Sequence, residues 1–520
     1  MNASEYIHHS TMNRNSTLKF LILMPALTYS LIQSISINKR PLRTQIFDSP
    51  RSMKTSSNLA LASFVSDKES TFLDNETNEN GSTKRNVNKG PLAMSIPELS
   101  EAIGGKGRAL LVWDLYILGV DPQIYFKSIV TDDTEQDYPC IENQNIFPKT
   151  YFLDESDWYD IQSIQSLRKS SRKNEKLGKK ALMELSKYYP NGIEGMGGIA
   201  SIADISSSSD GTTKLLIQLQ DGLRVETVII PWFDRKKSTL CVSSQVGCKQ
   251  GCTFCATGRM GRLRSLTSDE IMAQVFFATK IIRLSQSINV DKSASSSHRC
   301  LPSIDNVVFM GMGEPADNYE SVNTAIDLLI DRNLFQLSPK KITVSTIAPT
   351  PESFKYFQNT NCVLAWSVHA VNDSLRKQLV PTTRYTMNEL RDGLIQVLCQ
   401  RSSSIQDIML EVVLIRELND GEIQANELAD FSLHIINQIK SKSNRDENLD
   451  HLNSENGFKL MINLIPFNDI GHPVYQSPTK ESVLKFQSIL WKKGLFAHIR
   501  TTRGDDESAA CGQLATRKLK

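Results

Sequence analysis

The residues with the clearest potential for chemistry are four cysteines that lie within fifteen residues of one another. Their segment reads Cys241-Val-Ser-Ser-Gln-Val-Gly-Cys248-Lys-Gln-Gly-Cys252-Thr-Phe-Cys255. The Cys-x₃-Cys-x₂-Cys spacing lets three thiolates from one short, glycine-containing loop bind one face of a cubane cluster, leaving one iron open for another molecule. Zinc is the competing interpretation, but structural zinc usually takes four ligands in two pairs, and no second pair is evident nearby. We therefore predict an iron–sulfur cluster on Cys248, Cys252 and Cys255.

The composition narrows the class of protein further. The chain has 520 residues, too many for one ordinary domain, and 40% of them are hydrophobic, which is enough for a real core. Lys plus Arg (59) nearly balance Asp plus Glu (57), so the overall charge gives no sign of nucleic-acid binding. Nine cysteines in a chain of this length do not form a disulfide scaffold. Their clustering favours metal or redox chemistry in a reducing, soluble compartment.

The elements that must position these cysteines follow a repeated strand–loop–helix pattern after residue 240. Short apolar runs predict buried strands at 306–310, 342–345, 363–368, 409–415, 460–465 and 497–499. Helix-length amphipathic segments separate most of them, which is typical of an α/β fold with a parallel sheet covered by helices. Periodicity alone does not decide whether such a sheet is open or closed into a barrel. Polar tracts at 285–298 and 440–456 are interpreted as surface insertions.

The segments before residue 235 have a different character. Residues 1–90 are expected to be a disordered extension, with an apolar stretch at 18–37 and a Lys-, Arg- and Ser-containing stretch at 38–66 that together suggest import into a plastid or else a mitochondrion. A cytoplasmic protein with an extension of no targeting role is the alternative. Helical periodicity predicts a helical domain at 91–192, and strand-like alternation predicts a small β-hairpin connector at 193–234.

A second cysteine motif lies near the C-terminus and reads Arg503-Gly-Asp-Asp-Glu-Ser-Ala-Ala-Cys511-Gly-Gln-Leu. Together with 239–261, this motif resembles the RlmN/Cfr family of radical S-adenosylmethionine (SAM) RNA methyltransferases, and the resemblance covers roughly 95–518. It implies a radical SAM partial (β/α) barrel at 235–515 with a 4Fe–4S cluster near its mouth. It also implies that 91–192 is an accessory RNA-binding domain.

The same resemblance implies which residues bind SAM. They lie at the ends of predicted strands, where ligand sites of parallel α/β folds collect. The expected SAM-binding residues are Gly313, Glu314, Ser345, Ser367, Val368, His369 and Asn468. For Gly313 and Glu314 the structural alternative is a glycine turn that only closes a strand, and His369 alone would more often be structural.

For catalysis, the resemblance implies that Cys511 is methylated by one SAM and that a second SAM generates the radical that activates this methyl group for transfer to an adenine carbon. Polar methyl transfer would fail at adenine C2 because that carbon is electron-poor. Cys241 is expected to release the product by forming a disulfide with Cys511. Glu226 falls in the family's general-base position, although 232–238 is about two residues longer than expected, and a solvent-facing strand residue is the alternative. The remaining cysteines, Cys140, Cys300, Cys362 and Cys399, match nothing in the family.

The partners implied are ribosomal RNA, with transfer RNA as a second candidate, and an electron donor such as flavodoxin or ferredoxin. A basic rim could attract RNA phosphates and comprises Lys249, Arg259, Arg262, Arg264, Arg500, Arg503 and the tail 517–520. We expect a monomer without stable membrane association. Alternative hypotheses are C8 methylation by the same mechanism, a non-catalytic RNA-binding or ribosome-assembly relative, and a radical SAM enzyme acting on another substrate class.

Overall fold

The computed structural model describes residues 89–130, 161–287, 300–443 and 458–515. The stretches predicted to direct import, at 18–66, and the basic tail 517–520 lie outside these residues. Twelve α-helices are described: α1 Ile96–Ile103, α2 Lys106–Tyr116, α3 Pro122–Val130, α4 Ile161–Leu167, α5 Lys179–Ser186, α6 Ala256–Arg259, α7 Ser268–Ser287, α8 Tyr319–Ile330, α9 Asp373–Leu379, α10 Met387–Leu398, α11 Glu422–Ser443 and α12 Lys480–Lys492.

Twelve strands occur within the same described ranges: β1 Ala200–Ser207, β2 Thr213–Leu219, β3 Arg224–Trp232, β4 Lys237–Cys241, β5 Gln245–Cys248, β6 Gly261–Ser265, β7 Ile304–Phe309, β8 Ile342–Thr346, β9 Val363–Ser367, β10 Ile408–Leu414, β11 Leu460–Pro466 and β12 Phe496–Ile499. The six buried strands predicted after residue 300 correspond to β7–β12, with ends that differ by at most two residues. Most of their Val, Ile and Leu side chains are buried, as expected for parallel strands covered by helices, whereas Phe496 of β12 is exposed.

One ten-stranded sheet dominates the fold, in the order β1-β2-β3-β4-β7-β8-β9-β10-β11-β12. From β4 onwards all neighbours are parallel, and helices connect most of these strands. The end strands β1 and β12 do not pair with each other among the described residues, so the sheet is a partial barrel. The predicted α/β fold with a partial (β/α) barrel is confirmed.

The segment predicted as a β-hairpin connector contributes three antiparallel strands to this same sheet. β1 pairs with β2, β2 with β3, and β3 with β4. In the last pair Val228 lies opposite Cys241. Because directly opposed residues point to the same face and alternate residues share it, Glu226 lies on the same face as Cys241. These strands therefore carry Glu226 to the edge of the barrel.

The helical segment is anchored to the barrel through Asp269 at the start of α7. Its buried carboxylate accepts hydrogen bonds from the Gly90 amide (2.7 Å), the Ala93 amide (3.2 Å) and the Tyr189 hydroxyl (2.5 Å). Burial raises the pKa of this carboxyl group, and the hydrogen bonds oppose the rise. Such an anchor fixes residues near both ends of 90–189 against one helix of the core.

The two polar tracts differ in part from the prediction. α7 continues to Ser287, and Ser285 is buried with its hydroxyl donating to the Ile282 carbonyl at 2.7 Å. α11 likewise continues to Ser443. Both predicted insertions therefore begin as helix, because the helical hydrogen bonds continue into the polar sequence. The rest of both tracts lies outside the described residues. Among the residues described, we find no helix of sufficient length and apolar character for a membrane span.

Candidate active site

The predicted cluster cysteines lie on a loop between β5 and α6. Cys248 ends β5, and the loop turns tightly because the Cys255 amide donates to the Cys252 carbonyl at 3.1 Å. β5 needs a glycine at Gly247, which has φ +75°, since an added Cβ would lie 1.8 Å from the Gly261 carbonyl oxygen of β6. The paired strands β5 and β6 therefore form a rigid base for the loop.

The chemistry of the donors fits an iron–sulfur cluster better than a single metal ion. Within the described ranges, no group of three or more His, Cys, Asp or Glu side chains could hold one ion. A cubane differs because each thiolate binds a separate iron corner, so the sulfurs need not meet at one point. Cys248 and Cys252 are buried and Cys255 is partly exposed, and all three are free thiols. These residues would hold the cluster, and zinc is the less suitable occupant.

Gly313 is positioned by close packing. Its φ is +103°, and an added Cβ would lie 2.6 Å from Cβ of Gln245 on β5. The Gln245 side-chain oxygen accepts a hydrogen bond from the next backbone amide, that of Glu314, at 3.0 Å. The glycine thus lets the loop after β7 approach the base of the cluster loop.

Glu314 is fully engaged by protein donors. One carboxylate oxygen accepts from the Thr346 hydroxyl (2.6 Å) and the Ala316 amide (2.9 Å), and the other accepts from the Ile347 amide (2.9 Å). Burial raises the pKa of this carboxyl group to about 7, and the hydrogen bonds oppose the rise. In this structure Glu314 braces the ends of β7 and β8 against each other.

Ser345 and Ser367 meet at a residue that the sequence analysis missed, Glu411 of β10. The Ser345 hydroxyl donates to Glu411 Oε2 at 2.8 Å, and Ser367 Oγ lies 3.1 Å from Ser345 Oγ and 3.4 Å from Glu411 Oε2. The amides of Val368 and His369 both donate to the Glu411 carbonyl, at 2.9 and 3.2 Å. Four of the expected SAM-binding residues therefore cluster around one buried carboxylate residue.

His369 is held in an unusual backbone conformation. Its φ is +55°, its Nδ1 accepts the Val413 amide at 3.1 Å, and its carbonyl accepts the Asn419 side-chain amide at 2.9 Å. Burial, assisted by the charge of Arg376, lowers its pKa well below the ordinary value, so the ring is neutral. It packs edge-on to Phe254, with ring centroids 4.4 Å apart. His369 thus supports the aromatic residue that precedes Cys255.

Cys241 and Cys511 line one large cavity of about 1150 Å³ inside the partial barrel, together with Asn468, Arg500 and Glu411. Cys241 ends β4 and is buried, whereas Cys511 is exposed. Burial raises the pKa of the Cys241 thiol to about 12, with the nearby Cys511 adding to the rise. Desolvation of the thiol also raises the pKa of Cys511. The positive charge of Arg500 opposes that rise, and the charge of Glu411 adds to it.

The Cys511 loop is bonded directly to the start of α6, which follows the cluster loop at Cys255. The Ala256 amide donates to the Gly512 carbonyl at 2.8 Å, and the Thr257 hydroxyl donates to the Leu514 carbonyl at 2.5 Å. On the other side, the Asn468 side-chain amide donates to the Cys511 carbonyl at 2.9 Å. The two cysteine motifs, about 250 residues apart in sequence, therefore form one site.

The β1–β2 hairpin holds the same loop through what we call the hairpin clamp, formed by Asp210 and Lys214 of the hairpin and Asp506 of the loop. Asp506 accepts bonds from the Ser208 hydroxyl and the Ser209 amide, and Asp210 lies 3.1 Å from Nε of Arg503. The Lys214 ammonium group donates to two carbonyls of the loop, those of Glu507 (2.7 Å) and Ser508 (3.3 Å).

Glu226 lies beside this clamp. Its Oε1 is 3.5 Å from the Lys214 ammonium group, and its Oε2 accepts the Ala515 amide at 2.8 Å. The side chain is only 6% exposed, so the alternative of a solvent-facing strand residue does not hold. Glu226 is thus attached to the segment that follows Cys511.

Several residues of the predicted basic rim form ion pairs in the fold. Arg264 bonds Glu270 and Asp221, and Lys249 pairs with Asp317 at 2.8 Å. Arg503 packs over the Trp232 ring, and Arg500 faces the cavity. Lys249, Arg259 and Arg262 are exposed at or beside the cluster loop. These three residues are the part of the predicted rim most open to phosphate among the described residues, and the tail 517–520 lies outside them.

A fold with seven parallel strands, a three-cysteine loop at the strand ends and helices between the strands defines a radical SAM enzyme. The structure resembles a radical SAM methyltransferase from Sphaerobacter thermophilus, with a TM-score of 0.55, 26% identity, and coverage of 82% of this chain and 98% of that chain. Models of protein families give no match to this sequence.

Sequence comparison identifies the family. The chain is 37% identical over 325 residues to a dual-specificity RNA methyltransferase RlmN of Lawsonia intracellularis, covering 62% of this chain and 80% of that protein. It is 38% identical over 310 residues to the RlmN of Marinomonas sp., covering 59% and 74% of the two chains. It is 34% identical over 346 residues to a probable RlmN of Protochlamydia amoebophila, covering 65% and 84%. The chain belongs to the RlmN family of radical SAM RNA methyltransferases, which confirms the predicted resemblance and enzyme class.

Proposed function

We propose that this enzyme methylates C2 of adenine in ribosomal RNA, with transfer RNA as a second substrate, and that Cys511 carries the methyl group. The observation that carries this proposal is that Cys241 and Cys511 line the same cavity, next to the cluster loop. A carrier thiol must reach both the methyl donor and the base, and Cys511 lies on a loop bonded to the start of α6, beside the cluster loop, on one side and open to the cavity on the other.

The proposed reaction needs two cofactors, an iron–sulfur cluster and SAM. When bound, a 4Fe–4S cluster and two SAM molecules supply the methyl group and the radical chemistry that activates it. Cys248, Cys252 and Cys255 would hold the cluster. The residues that would hold SAM are Gly313, Glu314, Ser345, Ser367, Val368, His369 and Asn468.

Cys511 is the methyl acceptor because a thiolate is a soft, strong nucleophile. Its pKa is raised by its surroundings, so the guanidinium of Arg500, which opposes the rise, is the group that favours the thiolate. Asn468 fixes the Cys511 backbone through its carbonyl. These contacts hold the sulfur at the cavity while the base enters.

Cys241 and Glu226 complete the reaction. Glu226 takes the ring proton from the radical adduct formed between Cys511 and the base, and the adduct gives up one electron to the electron carrier, which leaves a closed-shell thioether. Cys241 then attacks the Cys511 sulfur. The new disulfide replaces the bond from sulfur to the transferred carbon, whose electron pair stays with the base and takes up a proton. The disulfide must be reduced before the next turnover, which requires an external dithiol or thiol.

The remaining assignments are also proposals. Residues 91–192 form the accessory RNA-binding domain, 193–234 connect it to the methyltransferase core at 235–515, and 1–90 carry an organellar targeting sequence. Flavodoxin or ferredoxin supplies electrons, and the enzyme acts as a monomer.

The experiment that tests this proposal uses Cys241→Ala. Without the resolving thiol, the RNA should remain covalently attached to Cys511 and migrate with the protein on a denaturing gel. Cys241→Ala/Cys511→Ala should give no such band, and Cys300→Ala, which removes an exposed cysteine, should turn over normally. Adduct formation in the double variant would contradict the role of Cys511. Nuclease digestion of the trapped adduct identifies the ring carbon, and attachment at C8 would replace the C2 assignment.

A further inference from the structure

One buried carboxylate oxygen of Glu411 accepts no hydrogen bond from the part of the chain that the structure describes. The residue lies in the middle of the apolar strand β10, and it is 3% exposed. Its Oε2 accepts the serine hydroxyls described above, whereas Oε1 finds no hydrogen-bond donor among the residues that the structure describes. Buried polar atoms are nearly always hydrogen-bonded, because leaving one unsatisfied costs free energy. An orphan acceptor in a cavity wall therefore indicates a ligand that donates a hydrogen bond.

Arg500 stands beside this oxygen. Its Nη1 lies 3.7 Å from Glu411 Oε1, too far for a hydrogen bond but within ion-pair range. Its backbone amide donates to the Leu464 carbonyl at 2.8 Å, which fixes the residue at the end of β12. Although burial opposes it, the pKa of this guanidinium is raised by Cys511, Glu411 and Cys241, which places all three close to the same positive charge.

The cavity wall thus presents thiols, a guanidinium and a carboxylate, all lining one space. Adenine presents a complementary set of atoms on one edge: the reacting carbon C2, the acceptor N1 and the donor N6 amino group. The C8 side presents C8, N7 and the same amino group. The match therefore holds for either ring carbon.

We infer that Glu411 and Arg500 recognise the amino edge of the target adenine, with Glu411 Oε1 accepting a hydrogen bond from N6–H and Arg500 donating to the neighbouring ring nitrogen. This inference rests on the proposed function. A carboxylate can only accept, so it selects adenine and rejects hypoxanthine or guanine, which place the oxygen O6 where adenine has its amino group. A site built to bond a substrate N–H discriminates strongly against analogues that lack it.

The amino group of SAM is the other donor of this chemistry. The geometry favours the base, because both thiols line the same cavity as Glu411, whereas Asn468 is the one expected SAM-binding residue in the described lining of that cavity. The hydroxyls of Ser345 and Ser367 bond the other carboxylate oxygen, Oε2. The experiment therefore measures SAM and base recognition separately.

The test uses Glu411→Gln, which keeps the size but offers an amide N–H that can bond O6. The substrate is an RNA stem-loop whose methylated position has first been mapped with wild-type enzyme, prepared with adenosine, purine riboside or inosine there. Wild type should use purine riboside with at least about tenfold lower kcat/KM than adenosine. Glu411→Gln should lower kcat/KM for adenosine by about 10- to 100-fold and lower the adenosine-to-inosine preference by at least about tenfold. Glu481→Gln, on the exposed start of α12, should change neither.

The outcomes separate the possibilities. Unchanged SAM affinity by equilibrium dialysis, with altered base preference, supports the inference. Weaker SAM binding with unchanged base preference would assign Glu411 to SAM and overturn it. If Glu411→Gln does not fold, wild type alone decides, since equal use of purine riboside and adenosine would overturn the inference. If wild type makes methyladenosine but neither the base analogues nor Glu411→Gln changes kcat/KM, the inference alone is overturned. If wild type makes no methyladenosine at all, the proposed function and the inference are overturned together.

Discussion

The hairpin clamp should determine how firmly the Cys511 loop is held, and Lys214→Met removes its central group. The Lys214 side chain is only 14% exposed, and its ammonium donates to the Glu507 and Ser508 carbonyls while lying 3.5 Å from Glu226. A hydrogen bond from a charged donor contributes about 1.5–3 kcal/mol, and the second, longer bond contributes less. We therefore expect the free energy of local loop opening to fall by about 2–4 kcal/mol.

The assay is native-state hydrogen exchange on the peptide 504–515, which reports local opening. A loss of 2–4 kcal/mol corresponds to about 30- to 1,000-fold faster exchange of protected amides, such as that of Ala509, which donates to the Gly504 carbonyl at 2.8 Å. The control is Lys187→Met, which removes a 65% exposed side chain paired only three residues away in sequence with Glu184. If Lys214→Met speeds exchange in 504–515 by less than about fivefold, the loss is below about 1 kcal/mol. That is no more than an exposed ion pair contributes, and it would refute the clamp.

Three further predictions concern the core of the site. Gly313→Ala should lower the free energy of unfolding by about 2–4 kcal/mol in denaturant titrations, because φ is +103° and the new Cβ would lie 2.6 Å from a neighbouring side chain. The control, Gly494→Ala, has φ +78° in open space and should cost about 1 kcal/mol. Equal losses of stability in the two variants would contradict the packing argument. Because the pKa of Cys241 is raised to about 12, its alkylation, followed by mass spectrometry in cluster-loaded protein, should keep rising up to pH 10, and a plateau near pH 9 would be inconsistent with its burial. Anaerobic reconstitution should give about four iron atoms per chain, which Cys252→Ser should abolish and Cys300→Ser should leave intact; retention of iron in the first variant would exclude that ligand.

The parallel half of the fold was predictable because its strands are short, mostly apolar runs separated by helices. Strand β8 was predicted at 342–345 and is found at Ile342–Thr346. The pairing of β3 with β4 was not predictable, because local periodicity identifies a strand but not its partner. The same limit applies to the hairpin clamp, whose contacts join residues nearly 300 positions apart in sequence.

The candidate site was predictable where residue type and spacing carry the chemistry, as in Cys248, Cys252 and Cys255. Glu411 was missed, although one signal could have found it: an acid inside the run Ile-Met-Leu-Glu-Val-Val-Leu must be paired or bind something when the strand is buried. The roles of Glu314 and Asn468 as braces of the backbone could not be foreseen, because they depend on which amides and carbonyls the fold brings to them.

The most direct test of the central claim is nucleoside mass spectrometry of RNA treated with cluster-loaded enzyme, SAM and a reductant. The proposal expects 2-methyladenosine from wild type and none from Cys511→Ala, because Cys511 is the methyl carrier. Equal formation of methylated adenosine by both proteins would contradict that role. Intact cluster and SAM cleavage without any methylated adenosine would contradict the proposed substrate.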